Sequence, residues 1–527
     1  MAAQQFNVST AKIREHVKYL SSDALQGRGV ATHGEELATR YIASQLRAEG
    51  VEPAGDNGTY FQRVPMVGVT TLPGSSLRAT GGKVDLSFAP GKDFVGAPET
   101  QRPDNDFDAE AVFVGHGILA PEFGWDDYKG DNLRGKVLVY FTNEPPSEDP
   151  SFFGGRALTY YGRWTYKFEE AARQGAVAAI IIHTTPTAGY AWRVVSGSWG
   201  RELPRLKLTP GEPALKLAAW VPQDIGARLV ANTGKNLDQL LAMANEKSFR
   251  PIPLGVHVQS HIKVKLRDIE SRNVVGRVPG SDPELASQAV IFSAHWDHLG
   301  VGAPVNGDSI YNGAVDNATG CGMVLEMARN WAALPHKPKR TALFLFVTAE
   351  ESGLLGSAYY AQNPVVPAGR TAVDINFDAF YPFGRTRDVS VTGAERTTLW
   401  PLVQRDARMM NLKVEPDAEP EQGHYYRSDH FSFARAGVPA FSIAQGTDYI
   451  GKPAGFGKEI FEKYNAEHYH QPSDEYHADW DFSGMQQMAD FGLRLGMDIA
   501  NQPQLPTWHA GDEFLKAREK SGVSAGH

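Results

Sequence analysis

Three apolar runs, each followed by an acidic residue or a histidine, constrain the fold of this chain most strongly. The runs are S-Q-A-V-I-F-S-A before His295, T-A-L-F-L-F-V-T-A before Glu350 and A-V-D-I-N-F before Asp378. Runs that are apolar on both faces are typical of strands buried between layers of helices. An amphipathic segment, T-G-C-G-M-V-L-E-M-A-R-N-W-A-A-L, lies between the first two. From about residue 262 we therefore predict an α/β fold with a mixed, mostly parallel sheet between helix layers.

The domain organisation follows from the length and from changes of pattern along the chain. A chain of 527 residues is longer than one typical hydrophobic core supports, so we expect two or three domains. Residues 8–50 have helical periodicity, whereas residues 60–255 contain short alternating runs that indicate strands. We predict the N-terminal helical part of the main domain at 1–94, an inserted β-rich domain at 95–255, the α/β core at 256–510 and a polar tail at 511–527.

Composition excludes several classes of protein. A net charge of −9 provides no domain-wide basic surface for general nucleic-acid binding. No run of about 18 apolar residues is present, so we expect no membrane span. A single cysteine, Cys321, excludes an intrachain disulfide and a thiolate metal cage. The start, M-A-A-Q-Q-F-N, is too polar for a signal peptide.

Polar residues of five short motifs are predicted to converge at one edge of the sheet. They are His295, Asp316, Glu351, Asp378 and His470, with Glu350 beside the third. The C-terminal ends of strands line the ligand crevice of open α/β sheets. Two imidazoles and three carboxylates suit two divalent cations such as Zn²⁺. Two such ions about 3.5–4 Å apart activate a water and polarise a carbonyl, which predicts metal-assisted amide hydrolysis.

The five motifs, A-H-W-D-H-L-G, G-A-V-D-N-A-T-G, T-A-E-E-S-G-L-L-G-S, N-F-D-A and Y-H-Q-P-S-D, resemble those of the M28 metallopeptidases. This family includes the co-catalytic zinc aminopeptidases. The segment L-S-S-D-A-L-Q-G-R-G at 20–29 resembles the N-terminal segment of the family, and residues 110–185 resemble a protease-associated (PA) insert. N-V-V-G-R-V-P-G-S at 273–281 is similar to the entry strand of the peptidase core. The resemblance covers roughly residues 10–500.

The resemblance implies a role for each site residue. Two Zn²⁺ ions would be bound, one by His295 and Asp378 and the other by Glu351 and His470, with Asp316 bridging both. The same resemblance implies a cis peptide bond after Asp316. It leaves His298 and His468 as non-ligands.

Three further residues receive roles from the resemblance. Glu350 would be the general base, taking a proton from water and passing it to the leaving amine. Asp297 would orient His295, and Tyr469 would donate a hydrogen bond to the developing oxyanion. The segment R-S-D-H-F-S-F, which contains Ser428, would be structural at the rim of the site.

The function implied is a di-zinc exopeptidase that uses metal-hydroxide attack to release the N-terminal residue of peptides with a free N-terminus. One alternative is a carboxypeptidase, for which Arg385, Arg387 and Arg427 are candidate partners of a substrate carboxylate. Others are a glutaminyl cyclase and a non-catalytic receptor on the same fold. Family resemblance favours a periplasmic or secreted protein whose leader is missing from this sequence, with a cytoplasmic location left open. We also expect a loop around Trp192 and Trp199 to face substrate.

Overall fold

The computed structural model describes residues 6–188, 191–192, 195–196, 202–417 and 419–523. The chain forms two compact units. Unit 1 comprises Met1–Val64, Glu270–Ala418 and Arg427–His527, and unit 2 comprises Pro65–Ile269 and Glu419–Tyr426.

Helices and strands occur in both units. In chain order the helices are α1 (Thr10–Leu20), α2 (His33–Ala48), α3 (Trp164–Arg173), α4 (Thr185–Ala188), α5 (Gln223–Leu229), α6 (Leu237–Ala244), α7 (Thr319–Ala332), α8 (Leu355–Gln362), α9 (Trp400–Met409), α10 (His430–Arg435), α11 (Phe456–Glu467), α12 (Ser483–Asn501) and α13 (Leu515–Lys520). The strands are β1 (Glu52–Pro53), β2 (Phe61–Thr71), β3 (Ser76–Gly81), β4 (Val84–Phe88), β5 (Val95–Ala97), β6 (Phe107–Phe113), β7 (Leu119–Ala120), β8 (Trp125–Asp126), β9 (Val137–Phe141), β10 (Ala178–Ile182), β11 (Leu203–Leu206), β12 (Leu217–Val221), β13 (Ile252–His261), β14 (Val264–Val278), β15 (Ala289–His295), β16 (Gly300–Val305), β17 (Asp308–Tyr311), β18 (Thr341–Val347), β19 (Thr371–Phe377), β20 (Asp388–Thr392), β21 (Lys413–Glu415) and β22 (Ala440–Gln445).

The sheet of unit 1 has the strand order β14-β18-β15-β19-β22-β20-β21. Strand β15 is parallel to both β18 and β19, and β19 is parallel to β22. Strand β14 is antiparallel to β18, and β20 is antiparallel to β22. Every residue of β15, β18 and β19 is buried, as expected for strands covered on both faces. The predicted fold class, a mixed and mostly parallel sheet between helices, is confirmed.

Helices of unit 1 pack in a layer that includes the N-terminal segment. Helix α1 packs against α7 and α12, and buries Ile13, Val17 and Leu20 at helical spacing. Its N-cap, Ser9, accepts a hydrogen bond from the backbone N–H of Lys12 at 3.3 Å. Helix α1 therefore holds the N-terminal part of the chain against α7.

Unit 2 is a mixed α/β unit with its own core. Its sheet has the order β4-β3-β13-β6-β9-β10-β12-β5. The central strands β6, β9, β10 and β12 are parallel, whereas β13 is antiparallel to both β3 and β6. Helix α3 connects β9 to β10, and these two strands are buried throughout. The short apolar runs in this part of the sequence therefore include buried parallel strands, in addition to strands with an alternating pattern.

The unit boundaries differ from the predicted 95 and 255. Unit 2 begins at Pro65 because the hairpin β3–β4 pairs with β13, far along the chain. The predicted polar tail at 511–527 contains α13, where Arg518 is fully buried. Its guanidinium donates to the carbonyls of Ala368 at 2.7 Å and Pro506 at 2.8 Å, which fixes this segment on unit 1.

Two tryptophans were expected to mark a substrate-facing loop. Trp192 packs inside unit 2, where its ring lies 5.7 Å from that of His183. Trp199 lies outside the described residues. No helix in the described ranges is long and apolar enough to cross a membrane.

Candidate metal centre

Four of the six predicted ligand and base residues lie at the carboxyl ends of three buried strands. Strand β15 ends at His295, and the loops after β18 and β19 carry Glu350, Glu351 and Asp378. These three strands are parallel neighbours, so their carboxyl ends meet at one edge of the sheet. Asp316 lies in the short π-helical segment Ala314–Ala318 that precedes α7, and His470 follows α11.

The side chains form two groups that share Asp316. His295 Nε2 lies 3.2 Å from Oδ1 of Asp316 and 3.2 Å from Oδ1 of Asp378. His470 Nε2 lies 3.4 Å from Oδ2 of Asp316 and 2.9 Å from Oε2 of Glu351. Each oxygen of Asp316 therefore faces a different imidazole.

The donor set fits cations held between these groups. His470 Nε2 and Glu351 Oε1 are buried, and each lies close to another atom of the same centre: Oε2 of Glu351 at 2.9 Å and Nδ1 of His298 at 2.6 Å, respectively. The ligand atoms of His295, Asp316 and Asp378 all lie within 4.8 Å of one another. Imidazole and carboxylate groups gathered this closely are the ligand types that suit a divalent ion such as zinc.

Burial and mutual charge shift the pKa of several of these groups strongly. Burial raises the pKa of Glu350 well above its usual range, although the charge of His295 opposes this. Burial alone would lower the pKa of His295, but the carboxylates of Asp378, Glu350 and Asp316 raise it well above its usual value. Burial likewise opposes ionisation of Asp316, but hydrogen bonds with His295 and His470 hold its pKa well below the usual range. The centre thus concentrates negative charge that a cation would neutralise.

Backbone contacts position Asp316 at the start of α7. The peptide bond between Asp316 and Asn317 is cis, which confirms the prediction. The side chain of Asn317 donates to the carbonyl of Phe377 at 3.0 Å, at the end of β19. Asp474, the last residue of the motif Y-H-Q-P-S-D, accepts from the backbone N–H groups of Val315 at 2.9 Å and Asp316 at 3.1 Å. Asp474 and these two partners are 158–159 residues apart in the sequence, so the contact could not be inferred from the motif alone.

Asp297 contacts His295 differently from the expected carboxylate–imidazole pair. Nδ1 of His295 lies 3.2 Å from the backbone carbonyl of Asp297 and 3.8 Å from its Oδ1. That Oδ1 accepts a hydrogen bond from the backbone N–H of Glu350 at 3.1 Å. Burial raises the pKa of Asp297 to about 7. Its carboxylate therefore positions the backbone of the predicted base, while its carbonyl faces the imidazole.

His298 is a residue whose position the sequence interpretation missed. Its ring is buried, and Nδ1 lies 2.6 Å from Oε1 of Glu351. Gly313, with φ of +58°, lies against this ring, and a Cβ there would approach His298 Cγ to 2.5 Å. Glu351 thus faces His470 with one oxygen and His298 with the other. In the sequence, the signal that pointed to His298 was its position three residues after His295. His468, by contrast, faces Ser473 Oγ at 3.1 Å.

Two other predicted residues lie at the rim. Ser428 donates a hydrogen bond to Oδ2 of Asp378 at 2.6 Å, so the segment R-S-D-H-F-S-F supports a ligand directly. The ring of Tyr469 stacks on that of His470 with centroids 3.9 Å apart, and the residue is 47% exposed. Tyr469 therefore borders the centre from the solvent side.

Comparison with known proteins links this site to one peptidase family. The model of peptidase family M28 matches residues 273–495, which include all the predicted ligands and Glu350. Leupeptin-inactivating enzyme 1 of Streptomyces exfoliatus is 27% identical over 178 residues, covering 34% of this chain and 36% of that protein. Carboxypeptidase Q of Xenopus laevis is 26% identical over 244 residues, covering 46% and 42%. The chain thus spans about two fifths of the length of these relatives.

A solved structure has the same fold over most of both chains. The aminopeptidase from Aneurinibacillus sp. strain AM-1 superposes with a TM-score of 0.52 and 19% identity. The alignment covers 94% of this chain and 95% of that one. At this identity, the similarity establishes the fold.

Proposed function

We propose that this chain is a di-zinc exopeptidase that removes the N-terminal residue from peptides. The observation that carries the proposal is the pair of imidazole–carboxylate groups that share Asp316 at the carboxyl edge of the unit 1 sheet. The M28 match over residues 273–495 and the similarity to metallopeptidases support peptide hydrolysis by a zinc enzyme.

In this proposal His295 and Asp378 would hold one cation, Glu351 and His470 would hold the other, and Asp316 would serve both. Bound zinc would polarise the scissile carbonyl and lower the pKa of a water. The remaining machinery belongs to the chain. Ser428 fixes the orientation of Asp378, and Asn317 fixes the turn that carries Asp316.

Glu350 is the proposed general base. Its carboxylate is half-buried beside His295, and its backbone N–H donates to Oδ1 of Asp297. In hydrolysis it would take one proton from the attacking water and deliver it to the nitrogen of the departing amine. The second proton of the water would leave with the products, where the new carboxylic acid ionises and the released amine takes up a proton. Tyr469, stacked on His470, is proposed to donate a hydrogen bond to the carbonyl oxygen as it gains negative charge.

A carboxypeptidase is the second candidate, because one relative is named carboxypeptidase Q. That function needs a cation to hold the substrate carboxylate. Of the arginines considered, Arg387 already pairs with Asp448 at 2.9 Å between Nη1 and Oδ1. That ion pair engages one of the three candidate arginines, and substrate preference decides between the two functions.

A substrate panel tests the proposal. Aminoacyl chromogenic amides with a free amine are compared with N-blocked peptides that carry a free carboxylate. We expect cleavage of the free-amine substrates alone. Cleavage of the N-blocked peptides from their C-terminal end would select the carboxypeptidase, and hydrolysis of neither would contradict a peptidase.

We further propose that unit 2 is a PA-like insert and that the protein acts on peptides in the periplasm or outside the cell. The motifs that resemble a PA domain fall on its central strands β6, β9 and β10. Fractionation of cells that express the natural gene tests the location. Activity confined to the cytoplasm would contradict it.

A further inference from the structure

The side chain of Arg28 is buried in unit 1, and within the described part of the chain its hydrogen bonds go to backbone carbonyls. The residue is 1% exposed. Nε donates to the carbonyl of Trp296 at 2.7 Å, and Nη2 donates to that of Gly313 at 2.9 Å. Nη1 donates to the carbonyls of Asn312 at 2.7 Å and Leu20 at 2.5 Å. One guanidinium therefore joins three separate segments of the chain.

Two of those segments carry proposed zinc ligands. Trp296 directly follows His295, and Gly313 lies three residues before Asp316. The backbone carbonyl of Arg28 also accepts the N–H of His298 at 3.4 Å. The partners are 268 and 285 residues from Arg28 in sequence, so this link does not arise from local structure.

The backbone around Arg28 is shaped for this contact. Gly27 has φ of +66°, and a Cβ there would lie 2.4 Å from the carbonyl oxygen of Tyr311 and 2.6 Å from that of Gly300. Only glycine permits so close an approach in this conformation. The segment L-S-S-D-A-L-Q-G-R-G therefore docks directly on the backbone of the two ligand loops.

Arg28 also supplies a buried positive charge beside the centre. Burial lowers the pKa of Arg28, and the nearby carboxylates of Asp297, Asp474 and Asp316 oppose that effect. A guanidinium remains protonated in proteins and offers five N–H donors in a fixed plane. Lysine has a single ammonium group, which cannot reproduce this planar set of contacts.

We propose that Arg28 is a positioning residue for the metal centre: it fixes the spacing between the loop of His295 and the turn of Asp316. The inference rests on the proposed function for the identity of the ligands. It extends the centre to an N-terminal segment that lies outside the M28 match at 273–495. Metal sites require supporting contacts that hold ligands within about 0.5 Å of the binding geometry.

The test compares Arg28 with a matched arginine. Arg340 is also fully buried in unit 1, and its Nη1 donates to the carbonyl of Ile499 at 2.9 Å. Full-length wild type, Arg28→Met, Arg28→Lys, Arg340→Met and Arg340→Lys are loaded with zinc, and affinity is measured by competition with a chromophoric chelator. Loss of a group that orients metal ligands typically weakens binding about 10–100-fold, which we expect for both Arg28 variants. The Arg340 variants should bind as wild type does.

Thermal unfolding of the metal-free proteins separates positioning from general destabilisation. We expect replacement of either arginine to lower the thermal midpoint of unfolding. Only the Arg28 variants should lose zinc affinity. If Arg28→Met does not fold, Arg28→Lys decides the comparison. Equal zinc affinities for the Arg28 and Arg340 variants would overturn the inference and leave the proposed function intact. Failure of the wild type itself to bind two zinc ions would contradict the proposed function instead.

Discussion

Both units bury clusters of ionisable side chains, but the two clusters are satisfied differently. In unit 2, Lys167 is fully buried and its Nζ donates to the carbonyls of Asn143 at 2.9 Å and Tyr161 at 2.7 Å. Asp127 accepts from the indole of Trp125 at 2.8 Å and from the N–H of Ile118 at 2.9 Å.

In unit 1 the buried groups of the centre face one another instead. Nε2 of His470 lies 2.9 Å from Oε2 of Glu351, and Oε1 of Glu351 lies 2.6 Å from Nδ1 of His298. Burial of charge is therefore common to both units. The distinguishing feature of unit 1 is a convergent set of imidazole and carboxylate groups, and this is where we propose that cations bind.

The largest expected effect comes from removing the shared carboxylate. Asp316→Asn keeps the size of the side chain but removes its negative charge, so we expect loss of both zinc ions and of detectable hydrolysis. Zinc content and turnover are measured on the purified protein. Asp127→Asn in unit 2 is the matched control and should keep both ions. Equal loss of zinc in the two variants would contradict the claim that the cluster in unit 1, and not that in unit 2, binds zinc.

Replacement of the proposed base sharpens the comparison. Glu350→Gln should keep both zinc ions and lower turnover about 10²–10⁴-fold, the usual contribution of a general base. Metal content and kcat are measured together. The matched control is Glu144→Gln, at a buried glutamate of unit 2. A fall in kcat of less than about tenfold would show that Glu350 is not the base.

The contact between His298 and Glu351 predicts an intermediate effect. His298→Asn removes the imidazole that faces Oε1 of Glu351, so we expect zinc affinity to fall about 10–100-fold, as for other groups that orient ligands. His116→Asn provides the control in unit 2, since His116 is buried and its Nε2 lies 2.8 Å from Oδ1 of Asn245. Unchanged zinc affinity in His298→Asn would show that this imidazole contributes to packing and does not orient Glu351.

The last comparison concerns stability as a function of pH. Burial, and next the charge of Lys167, lower the pKa of His116 to about 4, from 6.5. The unfolded chain therefore binds a proton that the folded chain excludes between these values. The contribution of neutral His116 is present above pH 6.5 and is lost as the pH falls towards 4, by up to about 3 kcal/mol.

Thermal midpoints of metal-free wild type and His116→Asn check this sign. The wild type should lose more stability than the variant as the pH falls from 6.5 to 4. Parallel curves for the two proteins would contradict a neutral, buried His116. His16 in unit 1, whose pKa burial also lowers to about 4, serves as a second site for the same comparison.

Sequence reasoning identified those parts of the molecule whose pattern is local. The apolar runs before His295, Glu350 and Asp378 correspond to β15, β18 and β19, which end at the same edge of the sheet. Parallel pairing follows from burial on both faces, so the position of these residues could be inferred without a structure.

The remaining features depend on contacts between distant segments. The start of unit 2 at Pro65 depends on the pairing of β3 with β13, and the anchoring of Asp316 depends on Asp474. The side chain of Arg28 binds the backbone of a ligand loop. Contacts of this kind leave no periodic pattern in the sequence. Such contacts become visible only when the two segments are brought together in space.

The central claim is that the imidazole and carboxylate groups around Asp316 hold two cations. The most direct measurement combines elemental analysis with anomalous diffraction at the zinc edge on crystals of the zinc-loaded protein. We predict two zinc ions per chain, one contacting His295 and Asp378, the other Glu351 and His470, with Asp316 between them. A single ion, or an ion bound through His298 in place of His470, would contradict this account.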